Sequence, residues 1–254
     1  MKFPWPYLIS FTIFLLTSKH VFGPVMVRAT SGLPASWNFD QLPVDYPLLK
    51  LPANFPQRLY QLECLGFSLV SHLVAADQGR IRMVVSLLVN RDAKTSACIC
   101  FMVANAGGKG VTNDYVEFST DFADGFEVNT LNSSTVSVFH PVPQREVVRV
   151  PQIKDVSALY GVHSHRIAQQ TTRHAVLPLE GQEVEHFSAS FQKAMGEQVE
   201  HGYYFLDQSK RRYRPTWAGA IRSTWRLLWP AKQIIERQQA RDGRRIAAAA
   251  GVRI

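Results

Sequence analysis

The sequence predicts an α+β protein: an antiparallel β-meander of about five strands, packed with C-terminal helices and preceded by an N-terminal apolar helix. Three observations carry this. Strand-like runs broken by turn signals fill the stretch from Leu65 to Thr130, the last two alternating cleanly. Helical spacing of apolar residues takes over after Asp155. Strands followed by helices, instead of alternating with them, favour segregated layers over a wound parallel sheet. The chain of 254 residues is 46% hydrophobic and 19% charged, enough to bury a core.

Residues 1–31 form the first segment. Trp5 to Leu16 (WPYLISFTIFLL) carries no charge; Lys19 and His20 interrupt, and Val21 to Val27 resumes. Tyr7 to Val27 taken together is just long enough for a bilayer with ~30 Å of hydrocarbon. Lys19 would then cost up to ~3 kcal/mol inside the span. A membrane helix or in-plane anchor, a cleaved signal peptide and a buried helix remain the three readings. The anchor is favoured, with Trp5, Tyr7, Phe11 and Phe14 as lipid contacts. The flanking charges do not fix orientation; the distal basic tail favours a cytoplasmic body.

Residues 32–56 are a proline-rich strap. Pro34, Pro43, Pro47, Pro52 and Pro56 forbid a continuous helix, while Trp37, Phe39 and interleaved leucines tie it to a surface. The α+β domain spans 57–206. A short helix is expected over Gln57–Cys64. Strands follow over Leu65–Ala76 and Arg80–Val89, joined by Asp77-Gln78-Gly79, then over Thr95–Ala104, apolar on both faces. Asn105–Asn113 reads as a glycine-rich loop. It fits no phosphate-loop pattern. Tyr115–Phe122 and Phe126–Thr130 alternate around the Asp124-Gly125 turn as a hairpin. Glu146–Val150 is an edge strand. Helices are expected from Asp155 as N-cap and over Glu183–Tyr204.

Residues 207–254 form a basic, aromatic, amphipathic helical tail. They hold 12 Lys/Arg against 3 Asp/Glu, whereas the whole chain is +8. A helix from about Pro215 should be kinked or split at Pro230. At ~100° per residue, Trp217, Ile221, Thr224, Trp225 and Leu228 share one face, Arg222 and Arg226 the other, with Trp229 at the boundary. Tryptophan beside arginine suits the headgroup zone. Trp217, Trp225 and Trp229 are therefore candidate membrane contacts, and Lys210, Arg211, Arg212, Arg214, Arg222 and Arg226 candidate ligands of anionic lipid. The competing reading packs the tryptophans onto the sheet. Nucleic acid comes third, because the tract matches no nucleic-acid motif.

No catalytic motif is present, and no cofactor or metal site is expected. His163-Ser164-His165 sits at i,i+2 on an inferred helix, which separates the rings by ~200°. Cys98 and Cys100 lack enough partners for zinc. Three cysteines favour a reducing compartment. Asn132-Ser133-Ser134 fits a glycosylation acceptor, relevant only in a secretory compartment. The best reading is thus a membrane-associated structural or interaction domain docked on a lipid bilayer with anionic lipids, its protein partner open. The alternatives are a hydrolase using Glu117, Asp121, His163 and His165, and a nucleic-acid binder acting through the tail.

Overall fold

A computed structural model describes residues 5–42, 54–75, 81–106 and 109–253. Among these, six helices and a mainly antiparallel eight-stranded sheet define a mixed α and β fold. The chain divides into two compact units. Unit 1 comprises residues 1–36, 136–140 and 193–235; unit 2 comprises 37–135, 141–192 and 236–254.

In unit 1, α1 (Trp5–Thr30) leads into β1 (Leu33–Pro34). Unit 2 then begins with β2 (Phe39–Gln41), α2 (Phe55–Cys64), β3 (Ser68–Ala75), β4 (Ile81–Asn90), β5 (Thr95–Ala106), β6 (Lys109–Phe122), β7 (Glu127–Leu131) and β8 (Arg145–Arg149). These strands lie in the order β2-β3-β4-β5-β6-β7-β8. After them come α3 (Val156–Ala168), β9 (Ala175–Val176), which pairs with β6, and α4 (Glu183–Glu200), within which the chain passes back to unit 1.

The eight-stranded sheet departs from the expected meander of about five strands in four places, the short β9 being one. The strap contributes the edge strand β2, paired with β3 through Phe39↔Ala75. β8 pairs parallel to β7; the long connection from Leu131 to Arg145 lets the chain cross over instead of turning tightly. The expected glycine-rich loop is mostly strand, since β5 and β6 stay in register out to Ala106↔Lys109. The Asp77-Gln78-Gly79 turn, Gly107 and Gly108 lie outside the described residues. The Asp124-Gly125 turn forms as expected. Gly125 has φ +81°, a conformation that costs glycine no steric penalty.

Helices α2 and α3 cover one sheet face. Leu62, Val156, Leu159 and Val162 meet Leu88, Ile99, Val116 and Phe118 in one core cluster. Phe118 is fully buried against Phe67 and Tyr160, with ring centroids 5.5 and 5.2 Å away. Burying such a ring is worth roughly 2–3 kcal/mol. Asp155 caps α3, its carboxylate accepting from the Ala158 amide at 2.7 Å. Within unit 2 the strap packs as an aromatic cluster: Trp37 stacks on Phe191 at 4.9 Å, and Phe39 meets Phe187 and Phe191.

Unit 1 holds a second, three-stranded sheet in the order β1-β11-β10, built from β10 (Tyr204–Asp207) and β11 (Arg212–Pro215). This hairpin interrupts what the sequence presents as one helical tail. Its turn residue Arg211 has φ +49°. α5 (Trp217–Leu227) follows, then a break at Leu228–Pro230, then α6 (Ala231–Ala249). The break falls where Pro230 removes a backbone donor. α6 starts in unit 1 and ends in unit 2, where Ala247 joins the core cluster and Gly243 lies close to the Arg149 carbonyl.

Among the described residues, no helix is long and apolar enough to cross a membrane. The expected transmembrane helix is therefore without support. α1 does form over the predicted segment, but Lys19, His20 and Pro24 interrupt its apolar run.

Candidate functional site

The face that α5 buries is not its aromatic one. Gly219, Ala220, Ser223 and Thr224 are buried, while Trp217, Ile221 and Trp225 are 52, 46 and 54% exposed, and Trp229 just beyond is 67% exposed. Small side chains let backbones approach closely, and α5 uses them so on two sides. A Cβ on Gly219 would come within 2.0 Å of the Tyr203 carbonyl oxygen, and one on Gly23 of α1 within 2.4 Å of Thr224 Cγ2. The helical wheel groups the tryptophans correctly, but that group does not enter a core. The reading in which they pack onto the sheet fails for Trp217, Trp225 and Trp229.

The arginines of α5 have structural work. Arg222 donates to the Val138 and Phe139 carbonyls at 3.2 and 3.1 Å, and Arg226 to the Ser137 carbonyl at 2.8 Å. Arg222 also lies 5.5 Å over the Tyr203 ring. These guanidiniums therefore pin the 136–140 segment to α5. Arg214 donates to the Arg28 and Ala29 carbonyls at the C-terminus of α1, where cations suit the helix dipole. Lys210, Arg211 and Arg212 sit exposed around the tip of the β10–β11 hairpin, with Arg212 reaching the Gly32 carbonyl at 3.0 Å.

α1 runs antiparallel to α5. Arg28 lies 4.9 Å over the Trp217 ring, Gly23 meets Thr224, and His20 meets Trp225 edge-on at 5.9 Å. The His20 ring donates to the Trp229 carbonyl at 3.0 Å, and the Trp225 indole N–H to the His20 carbonyl at 3.4 Å. Val21, Phe22, Val25 and Met26 are exposed on the outer side of α1. Trp5, Tyr7, Phe11 and Phe14 fall on the first half of α1, whose side chains lie outside the described ones.

Charge segregates with these surfaces. Unit 1 holds 11 Lys/Arg against 3 Asp/Glu, which is the whole +8 of the chain. Unit 2 holds 17 of each sign and is neutral. The sequence boundary at residue 207 mixes the two, because residues 236–254 belong to unit 2 and α1 contributes Lys19 and Arg28 to unit 1.

The hydrolase constellation is not assembled. His163 is fully buried on the helix-covered face of the unit 2 sheet, between Thr120 Oγ1 at 3.1 Å and Thr130 Oγ1 at 3.0 Å, and stacked on Phe118. Burial pushes its pKa down to about 3, so it is a neutral packing group. His165 contacts only Gln169 among its described hydrogen-bond partners. Strand alternation sends Glu117 and Asp121 to the opposite face.

That opposite face carries the Glu117 and Asp121 carboxylates, together with partners more distant in sequence. Glu117 lies beside Cys98 across β5 and near Arg149 and Glu127, and burial raises its carboxyl to about 7 against the pull of Arg149. Glu127 accepts from Asn129 and Arg145 at 2.7 and 2.8 Å. Asp121 pairs with His186 of α4 at 2.7 Å. His186 lies 65 residues away, at a separation no local spacing rule reaches. Cys98 and Cys100 are buried, and burial raises both thiols, Cys100 to about 12, which removes the thiolate needed for nucleophilic work. Among the described residues, no group of three or more His, Cys, Asp or Glu could hold a metal ion.

The glycosylation pattern is occupied by architecture. Asn132 is 3% exposed; its amide oxygen accepts from the Val116 N–H at 2.8 Å and its nitrogen donates to the Ile153 carbonyl at 3.1 Å. No protein-family model, curated protein or solved structure matches the chain.

Proposed function

We propose that this protein is a non-catalytic structural or interaction domain that docks on an anionic lipid bilayer through unit 1, with α1 as its anchor. The observation that carries this is the coincidence in one unit of the chain's entire net charge and of exposed tryptophan and aliphatic side chains on α1 and α5. Indole rings prefer the boundary between hydrocarbon and headgroups, and basic side chains add roughly 1 kcal/mol each near an anionic surface. The cytoplasmic leaflet carries such lipid, which supports a cytoplasmic body.

Flotation with vesicles tests the reading. The full chain is expected to float with phosphatidylcholine–phosphatidylglycerol vesicles more than with phosphatidylcholine alone. The double variant Trp225→Ser/Trp229→Ser should weaken binding about tenfold or more, from the loss of roughly 1.4 kcal/mol or more of ring burial. Both rings are more than half exposed, so its melting temperature should fall by only a few degrees. A chain that ignores both vesicle types, or that binds single-stranded RNA with a steep salt dependence in preference to vesicles, overturns the proposal.

A further inference from the structure

We infer that the bilayer–water interface crosses unit 1 at the collar formed by His20, Trp225 and Trp229, so that α1 enters lipid N-terminal to Lys19 and leaves residues 21–30 at or above the headgroups. The inference rests on the docking reading above and specifies its depth.

Three observations meet at one level of α1. α5 and its following loop meet α1 at His20, through the Trp225 ring and the Trp229 carbonyl. Both indoles are more than half exposed there. Tryptophans at a fixed level are the usual marker of a membrane interface. N-terminal to that level, Trp5 to Ser18 carries no charged residue, and α1 is helical throughout it. The first charge within α1, Lys19, is exposed at the collar itself.

This arrangement removes a difficulty of the 21-residue span. With Tyr7–Val27 as the membrane segment, Lys19 lies within hydrocarbon at a cost of up to ~3 kcal/mol. With the interface at the collar, its ammonium reaches the phosphates directly. Arg28 lies nine residues beyond Lys19, about 14 Å along the helix, and stacks over Trp217. The exposed Val21, Phe22, Val25 and Met26 then lie between, within the headgroup region.

The test places an environment-sensitive fluorophore at Leu15, Phe22 or Met26 of the full chain, each changed singly to cysteine, with Cys64→Ser as background because Cys64 is exposed. Each is bound to phosphatidylcholine–phosphatidylglycerol vesicles containing lipids that carry a quencher either at the headgroup or deep in the acyl chain. Leu15 lies about 7 Å below the collar, so the expected result is the strongest acyl-chain quenching at Leu15, headgroup quenching at Phe22, and the weakest acyl-chain quenching at Met26. Lys19→Leu should shift this crossing by about one helical turn toward Met26. Equal depth at Leu15 and Met26, as for a helix lying in the membrane plane, overturns the inference while leaving docking intact. So does a crossing on the far side of Met26. Failure of all three labelled proteins and the unlabelled chain to bind vesicles removes the docking reading itself.

Discussion

Replacing His163 separates a packing histidine from a functional one through the pH dependence of stability. His163 is fully buried, with both ring nitrogens held by threonine hydroxyls, and burial lowers its pKa from 6.5 to about 3. A group depressed in this way is neutral in the folded state throughout the range from about 3 to 6.5. The unfolded chain takes up its proton as pH falls below 6.5, and the folded chain does not. Stability is therefore fully present above pH 6.5 and is lost as pH falls. At ~1.4 kcal/mol per unit, the loss is about 2 kcal/mol at pH 5 and about 3 kcal/mol at pH 4. His163→Gln keeps an amide that can bond both hydroxyls but has no titration. Urea unfolding followed by circular dichroism at several pH values gives both curves. The wild type should lose about 2 kcal/mol more than the variant between pH 7 and pH 5. His72 and His140, whose pKa values burial also lowers, titrate in both proteins and cancel in the difference. Parallel stability curves for wild type and variant would refute the reasoning, since they require a ring that protonates as easily inside as out.

Three further outcomes follow from the same geometry. Glu117→Gln should change stability in the opposite pH sense: a carboxyl raised from 4.5 to about 7 stays protonated in the fold while the unfolded chain ionises, so the wild type loses about 3 kcal/mol relative to the variant as pH rises from 4.5 past 7, measured by the same urea titrations. Asn132→Ala strands the Val116 N–H and the Ile153 carbonyl in the interior and should cost about 2–4 kcal/mol in urea unfolding; a loss under ~1 kcal/mol contradicts the clamp. Gly219→Ala drives a methyl into the Tyr203 carbonyl and should destabilise by about 2–3 kcal/mol, whereas Gly196→Ala on α4, with open space around it, should stabilise by roughly 0.5–1 kcal/mol; thermal melts of the pair check both signs.

How much of this was legible in the sequence depends on the range of the forces involved. The β6–β7 hairpin was readable because its alternation and its Asp124-Gly125 turn are local. α3 and the start of α4 were readable from helical spacing and, for α3, from the Asp155 cap, and the break before α6 from Pro230. β2, β10 and β11 were not, since strands of three or four residues have too little periodicity and exist only because a partner strand supplies their hydrogen bonds. Alternation put Glu117 and Asp121 on one face, but their partners Arg149 and His186 were hidden, because a neighbouring strand and a helix distant in sequence bring them there.

The α5 tract shows the division most clearly. Sequence alone determined that Trp217, Ile221 and Trp225 share a helical face with arginines elsewhere, because a fixed rotation per residue sets the azimuth of every side chain. It could not determine which face would be buried. That was decided by Gly23, Gly219 and Ala220, where missing side chains allow α1 and the Tyr203 backbone to approach more closely than any indole would permit. Close packing of small residues turned the tryptophans outward, and backbone carbonyls at 137–139 took up the Arg222 and Arg226 donors. Net charge, likewise, is a sum over residues that the sequence supplies in full. Its concentration in unit 1 is a property of how the chain returns through space, and only the tertiary structure decided it.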